Sequence, residues 1–131
     1  MQVVVFRLGE EQFAVDTSRV QSINDNMSIT IVPKSEKHIK GLINLRGNII
    51  SLLDINLVLG IPANENSQKS IIILETSEEL IGVAVDQVDE VLELSDSVLE
   101  NVEDEKKKPC IKGILNLKQR IVTLIDIDKL V

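Results

Sequence analysis

Few residues of this chain are of types that do chemistry, and the most suggestive are two aspartates. Asp54 and Asp126 stand in the near-identical strings LLDI and LIDI, 72 positions apart. Two carboxylates brought together from the halves of a duplicated β fold can share one proton and act as an acid–base pair in hydrolysis. Such pairs carry a hydroxyl residue and then glycine after each aspartate, which lock and open the two loops. Here Ile55-Asn56 and Ile127-Asp128 follow instead. A bulky Ile after each Asp suits a chain entering a core, and Asp is a favoured helix N-cap. Capping is therefore expected, with a duplicated aspartyl hydrolase as the rival reading.

The remaining reactive residues point away from catalysis. His38 is the single histidine, which removes any multi-histidine metal cluster or two-imidazole relay. It lies in the polar run KSEKHIKG and reads as a surface residue. Cys110, the one cysteine, precedes an apolar run and reads as a buried structural thiol. A single cysteine forms no internal disulfide, so a reducing cytoplasm is the expected location. There is no G-x-S-x-G, Walker loop or G-x-G-x-x-G. No catalytic residue, metal or cofactor is expected. The net charge of −7 argues against nucleic acid, whose phosphates need a cationic surplus. Phe6 and Phe13 are the only aromatic residues, too few to stack bases. No run is long and apolar enough for a membrane span, and no signal peptide is expected.

The elements that would position any site come from a repeat. Ile39 to Gly60, IKGLINLRGNIISLLDINLVLG, matches Ile111 to Val131, IKGILNLKQRIVTLIDIDKLV, without a gap. Identical pairs are Ile39/Ile111, Lys40/Lys112, Gly41/Gly113, Asn44/Asn116, Leu45/Leu117, Ile49/Ile121, Leu52/Leu124, Asp54/Asp126 and Ile55/Ile127. A fixed offset of this size marks a duplicated supersecondary unit. Upstream, VVVFRL-GEE-QFAV and SIIIL-ETSEE-LIGVAV both read as hairpins ending in Val-Asp. DTSRVQSI and DQVDEVLEL follow, each a short helical turn or a bulged strand. Asp16 could cap such a turn. Ser28 to Val32 reads as a strand stopped by Pro33.

The repeated unit parses as strand, turn, strand and one capped helical turn. The whole is one domain, residues 1–131, with pseudo-repeats at about 1–60 and 70–131 and a polar linker at 61–69. Glu103 to Pro109 is expected to be an exposed charged loop. Ile and Val dominate and Ala is scarce, which favours strands over helices. The fold expected is all-β, with two related barrels whose closure hides strand edges.

The copies disagree at one informative place. Arg46-Gly47-Asn48 at the first hairpin tip becomes Lys118-Gln119-Arg120 at the second. A plain solvated turn is one reading. The other is a recognition spot, an arginine fork beside a glycine that lets a partner backbone approach. The spacing of Val20 with Ile23, and of Val88 with Val91, is equally two-sided: core packing, or the apolar centre of a protein-binding groove.

Taken together, VVFRLGEEQFAVD, IKGLINLRGNIISLLDI, IGVAVDQVDEVLEL and IKGILNLKQRIVTLIDIDKL resemble the CheW family of bacterial chemotaxis coupling proteins, over essentially the whole chain. The resemblance implies two intertwined five-stranded SH3-like barrels with short helical turns. It implies a non-enzymatic adaptor between the tips of methyl-accepting chemoreceptors and the regulatory domain of the histidine kinase CheA. Membrane association would then be only indirect, through the receptors. It assigns receptor contact to Val20, Asn44, Arg46 and Gly47, and in the second half to Gly82 and Val88. Ile23, Ile71, Ile72 and Ile73 are weaker candidates for kinase contact. The same fold also forms part of larger signalling proteins, so an excised regulatory module is a further alternative.

Overall fold

The computed structural model of the chain describes residues 1–25, 27–31, 38–62, 70–100 and 109–130. The strands are β1 (Gln2–Leu8), β2 (Glu11–Asp16), β3 (Val20–Asp25), β4 (Ile29–Thr30), β5 (Ile39–Leu45) and β6 (Asn48–Leu53), then, after a short helix α1 (Ile55–Leu59), β7 (Ser70–Glu75), β8 (Leu80–Val85), β9 (Gln87–Glu93), β10 (Leu99–Glu100), β11 (Ile111–Leu117) and β12 (Arg120–Ile125). Single 3₁₀ turns occupy Thr17–Arg19, Asp96–Val98 and Ile127–Lys129. No helix among the described residues is long and apolar enough to cross a membrane.

Hydrogen bonding gives two sheets, with strand orders β10-β11-β12-β2-β1-β9 and β3-β7-β8-β6-β5-β4. Each sheet has six strands rather than five, because the two-residue pieces β10 and β4 pair onto β11 and β5. Each also mixes the halves of the chain. The hairpin β1–β2 joins β12 through a parallel pairing, and β7–β8 joins β6 in the same way. This exchange interlocks the two barrels.

Side-chain alternation then builds three cores. In β1, Val3 and Val5 point into a cluster with Ala14, Leu115, Val122 and Leu124, private to the first sheet. Ile71 and Ile73 of β7 do the same in the second sheet, with Ile43, Ile50, Leu52 and Ala84. The alternate residues, Val4 and Phe6 of β1 and Ile72 and Leu74 of β7, enter a third cluster shared by both sheets. Strands buried on both faces need continuous apolar runs, which is why VVVF and IIIL do not alternate with polar residues. The two aromatic rings, Phe6 and Phe13, stack in the shared core with centroids 6.0 Å apart.

The repeated glycines are steric. An added Cβ at Gly41 would lie 2.5 Å from the Thr30 carbonyl oxygen, and at Gly113 it would lie 2.7 Å from that of Glu100. Only a residue without Cβ lets β4 and β10 close against their partners. The repeated aspartates are equivalent in their backbones: Asp54 N–H donates to the His38 carbonyl and Asp126 N–H to that of Cys110, both at 2.7 Å. Their side chains differ. Asp54 accepts from Leu57 N–H at 3.2 Å and caps α1, which Gly60 closes in the left-handed conformation. Asp126 makes no capping bond, and its turn is 3₁₀, so the expectation of a side-chain cap there fails. Asp16 does cap, accepting from Ser18 N–H at 2.9 Å.

Both expectations for DTSRVQSI are met in sequence: the turn Thr17–Arg19 runs into β3. β3 is bulged between Val20 and Ser22 against β7, so Val20 faces Leu74 and Ile23 faces Ile72. A bulge changes the two-residue period by one, and residues three apart thereby share a face. In β9 the irregularity falls opposite Val5/Phe6, with Val88 facing Phe6 and Val91 facing Val4. His38 is exposed and Cys110 buried, as expected. The expected strand over Ser28–Val32 is seen as Ile29–Thr30, with Val32 and Pro33 outside the described residues. Residues 63–69 and 101–108, which hold most of the expected linker and charged loop, also lie outside them.

Candidate functional site

The β5–β6 hairpin closes in two residues, since Leu45 pairs with Asn48. Arg46 and Gly47 both have left-handed backbones, with φ of 54° and 86°. That pair of conformations defines a type I′ turn, whose twist matches the flanking strands. Asn44 fixes it from the side by accepting the Gly47 N–H on Oδ1 at 2.9 Å. Gly47 is not crowded: a Cβ there would meet nothing within 4 Å. Among the described residues Arg46 is the one non-glycine with positive φ. The equivalent tip, Lys118-Gln119 between Leu117 and Arg120, therefore uses a different turn.

Three of the four arginines are held by carboxylates. Arg7 Nη2 donates to Asp89 Oδ2 at 3.2 Å. Arg19 makes a bidentate pair with Asp128 and also donates from Nε to the Glu75 carbonyl at 2.7 Å. Arg120 pairs with both oxygens of Glu90, at 3.2 and 2.8 Å. Arg46 makes no salt bridge or side-chain hydrogen bond within the described residues, and it is exposed. It stands at the rim of a cleft of about 210 Å³ lined by Gln21, Ser22, Leu45, Asn48, Ile50 and Leu80. The walls come from β3, the β5–β6 hairpin and the start of β8. They combine a cation, amides and a hydroxyl with an aliphatic floor.

Glu90 and Asp128 titrate below their ordinary range. The Arg120 hydrogen bond holds Glu90 down, against a smaller effect of burial. The Arg19 hydrogen bond, then the Ser77 N–H, hold Asp128 down. At Asp16 burial pushes up, but the Ser18 hydrogen bonds with Lys112 and the terminal amine outweigh it and the carboxyl stays low.

A second cleft, of about 120 Å³, is lined by Met1, Asp16, Ser18, Arg19, Lys112 and Asp126, among others. Asp54 is not among its walls and its carboxylate is engaged at the start of α1. Asp126 lines this cleft and Asp54 does not, so the cleft holds no acid–base dyad of the two.

The other partner-contact expectations divide by burial. Val20 and Val88 are half-buried and pack against the shared core, so each is at once core flank and surface. Ile23 lies on the same face of β3 as Val20 and is 43% exposed. Gly82 is a correction: it is buried, and an added Cβ would point at Ile43 Cδ1, Ile71 Cγ2 and Leu52 Cδ1 inside the second barrel. Its place across from Leu52 leaves it no partner-facing surface. Ile71, Ile72 and Ile73 are likewise corrected. All three are buried, Ile71 and Ile73 in the core of the second barrel and Ile72 in the shared one. A partner could not touch them without opening the sheet.

Sequence reasoning missed Gln21, Ser22 and Leu80 as neighbours of Arg46. They converge only because the chain carries β3 and β8 into the same barrel, and no local motif announces that.

Residues 2–131 match the family model of the CheW-like domain. The chemotaxis protein CheW of Thermotoga maritima is 35% identical over 99% of this chain and 87% of its own length. That of Bacillus subtilis is 27% identical over 95% of this chain and 83% of its own. The crystal structure of the scaffolding protein TtCheW from Thermoanaerobacter tengcongensis superposes with a TM-score of 0.90 at 30% identity, covering 98% of this chain and 90% of that one. Two interlocked β barrels and these whole-length similarities have one reading: the chain belongs to the CheW family of chemotaxis scaffolding proteins.

Proposed function

We propose that this chain is a non-enzymatic chemotaxis adaptor that joins the cytoplasmic tips of chemoreceptors to the regulatory domain of the histidine kinase CheA. The observation that carries the receptor half of this reading is Arg46, unpaired among the described residues on a rigid turn over an open cleft. A receptor tip is a helical hairpin, and helices dock in grooves by apolar anchors with a polar group setting orientation. Leu45, Ile50 and Leu80 supply the apolar floor and Arg46 the orienting charge. The open face of Gly47 lets a partner backbone come near. Val20, with Val88 in the other barrel, extends the apolar surface. The kinase contact is assigned to the β3 edge around Ile23, whose exposed side chain and place at the end of its sheet among the described residues suit a second β domain. Function is then linkage: two surfaces on one body, each contact changing the affinity of the other. In this reading the adaptor works in the cytoplasm and reaches the membrane only through receptors.

A three-component pull-down with a receptor cytoplasmic fragment and the kinase regulatory domain tests the proposal. Arg46→Asp should weaken receptor capture by roughly tenfold or more, the effect of losing one charge-assisted contact. Kinase capture and folding should be unchanged. Receptor capture equal to that of the parent chain would remove Arg46 from the interface.

A further inference from the structure

The duplicated fold contains its own control for the Arg46 cleft. Glu90 pairs with Val5 across β9 and β1, and Ser22 pairs with Ile73 across β3 and β7. Val5 and Ile73 each point into the private core of their barrel, so Ser22 holds in the second barrel the place Glu90 holds in the first. Arg120 opens β12 opposite Leu117, and Asn48 opens β6 opposite Leu45. The mouth of the first barrel is thus spanned by the bidentate Arg120–Glu90 pair. At the two matching positions the second barrel has Asn48 and Ser22, both walls of the open cleft. Neither charge of that pair is present there. The cation is instead on the neighbouring turn, at Arg46, and among the described residues no carboxylate lines the cleft.

We propose that this cleft takes a carboxylate side chain from the partner protein, which occupies the place of Glu90 and pairs with Arg46. One mouth is filled by the chain's own carboxylate and the other is left for a partner's. Ser22 and Asn48 are then specificity-determining residues: their small neutral side chains keep the seat vacant, and their hydroxyl and amide can donate to the incoming oxygens. An uncharged partner side chain would leave Arg46 without its counter-charge, and a cationic one would be repelled. The inference deepens the receptor-contact reading above and rests on it for the identity of the partner, but not for the chemistry of the seat.

Two measurements separate the inference from that reading. In the first, ¹⁵N-labelled protein is titrated with N-acetyl-glutamate amide and, as a control, N-acetyl-glutamine amide. Saturable shifts are expected at the Arg46 side-chain Nε–H and at the Gln21, Ser22 and Asn48 amides, with the acid only. They should vanish in the double variant Ser22→Glu/Asn48→Arg, which transplants the first barrel's pair while leaving Arg46 in place. Absence of saturable shifts, or equal shifts with the amide, overturns the inference whatever the receptor does. In the second, the double variant is tested against the receptor fragment, with circular dichroism and melting to verify the fold. Receptor capture reduced roughly tenfold or more supports the seat. Undiminished capture by the folded variant overturns it, even if Arg46→Asp has abolished capture and upheld the wider reading. Reversal completes the set: Arg46→Glu should lose capture and regain it with one acidic-to-lysine change in the receptor tip. Failure of every such change to restore capture counts against a partner carboxylate.

Discussion

Arg46 occupies a backbone conformation that its own chemistry does not favour, and this makes a quantitative expectation possible. An L-residue in the left-handed region costs about 1–2 kcal/mol relative to the right-handed one, because Cβ crowds the following carbonyl. Asparagine tolerates that region better, and Asn-Gly is the preferred sequence of a type I′ turn. Arg46→Asn, placing asparagine ahead of Gly47, should therefore recover part of the cost, about 0.5–1 kcal/mol. For a chain of this size that corresponds to a rise of about 2–5 °C in Tm. Arg46→Ala keeps the strain and should be neutral, since the guanidinium has no partner to lose among the described residues. Arg46→Gly should fall between, because the relief is offset by about 0.5–1 kcal/mol of extra unfolded-state entropy. Urea unfolding of the three variants, with unchanged slopes, reads the differences directly. The companion assay is receptor capture, which all three should weaken. A chain made more stable and less functional by one change identifies a position held for binding. Arg46→Asn no more stable than Arg46→Ala would refute the claim of stored strain.

Gly41→Ala should destabilise by about 1–3 kcal/mol, as overpacking does, because the new Cβ meets a main-chain carbonyl that cannot move without detaching β4. Gly113→Ala should behave alike at β10, and hydrogen exchange of the two edge strands reads both. Gly82→Ala should cost about 1 kcal/mol by urea unfolding, the low end of overpacking, and leave receptor capture intact, since its nearest neighbour, at 3.0 Å, is the Ile43 Cδ1 side-chain end. Loss of capture there would restore Gly82 to the interface. Asp128 and Glu90 have folded pKa values below their ordinary 3.8 and 4.5, so their pairs stabilise the fold above that range. That stability is lost as pH falls through the lowered values, and Asp128→Asn should flatten the decline of Tm below about pH 4. An equally steep decline in the variant would show that the Arg19 pair contributes nothing.

The architecture was legible because its causes are local. β-branched runs, Val-Asp endings and glycine turns dictate hairpins wherever they fall in the chain. The resemblance gives Ile71 to Ile73 as weaker candidates for kinase contact, and the fold buries all three. Alternation normally marks one buried face, and a run with none has either both faces buried or one exposed to a partner. The strand is covered by a private core on one side and a shared core on the other, which only the exchange of hairpins creates. Gly82 also comes from the resemblance, as a receptor contact, and it too is buried. Its counterpart across the parallel pairing of the other barrel is Ala14, buried against Leu124, so the position is interior in both copies. Asp126 shows the opposite limit: an identical residue with an equivalent backbone hydrogen bond makes no side-chain cap, although Asp16 caps a 3₁₀ turn of the same length.

Identity between the copies follows backbone need. Gly41 and Gly113 admit an edge strand, Leu52 and Leu124 fill private cores, and Ile55 and Ile127 fill the shared one. Even Asn44 and Asn116 differ in what their side chains do. The first fixes its turn, while the second donates to Glu100 Oε1 at 3.3 Å. Ile49 and Ile121 are the exception, identical yet 64% and 63% exposed, and no packing accounts for them. A position that both barrels require for folding cannot drift in either. A barrel mouth is under no such constraint, because it lies beyond the last core residues and faces water. There the first barrel has answered its cation with its own carboxylate, whereas the second keeps a strained arginine without one. Folding alone would remove both the strain and the missing counter-charge by ordinary substitutions. Their presence together, at one hairpin tip, is what a seat for another protein's side chain requires.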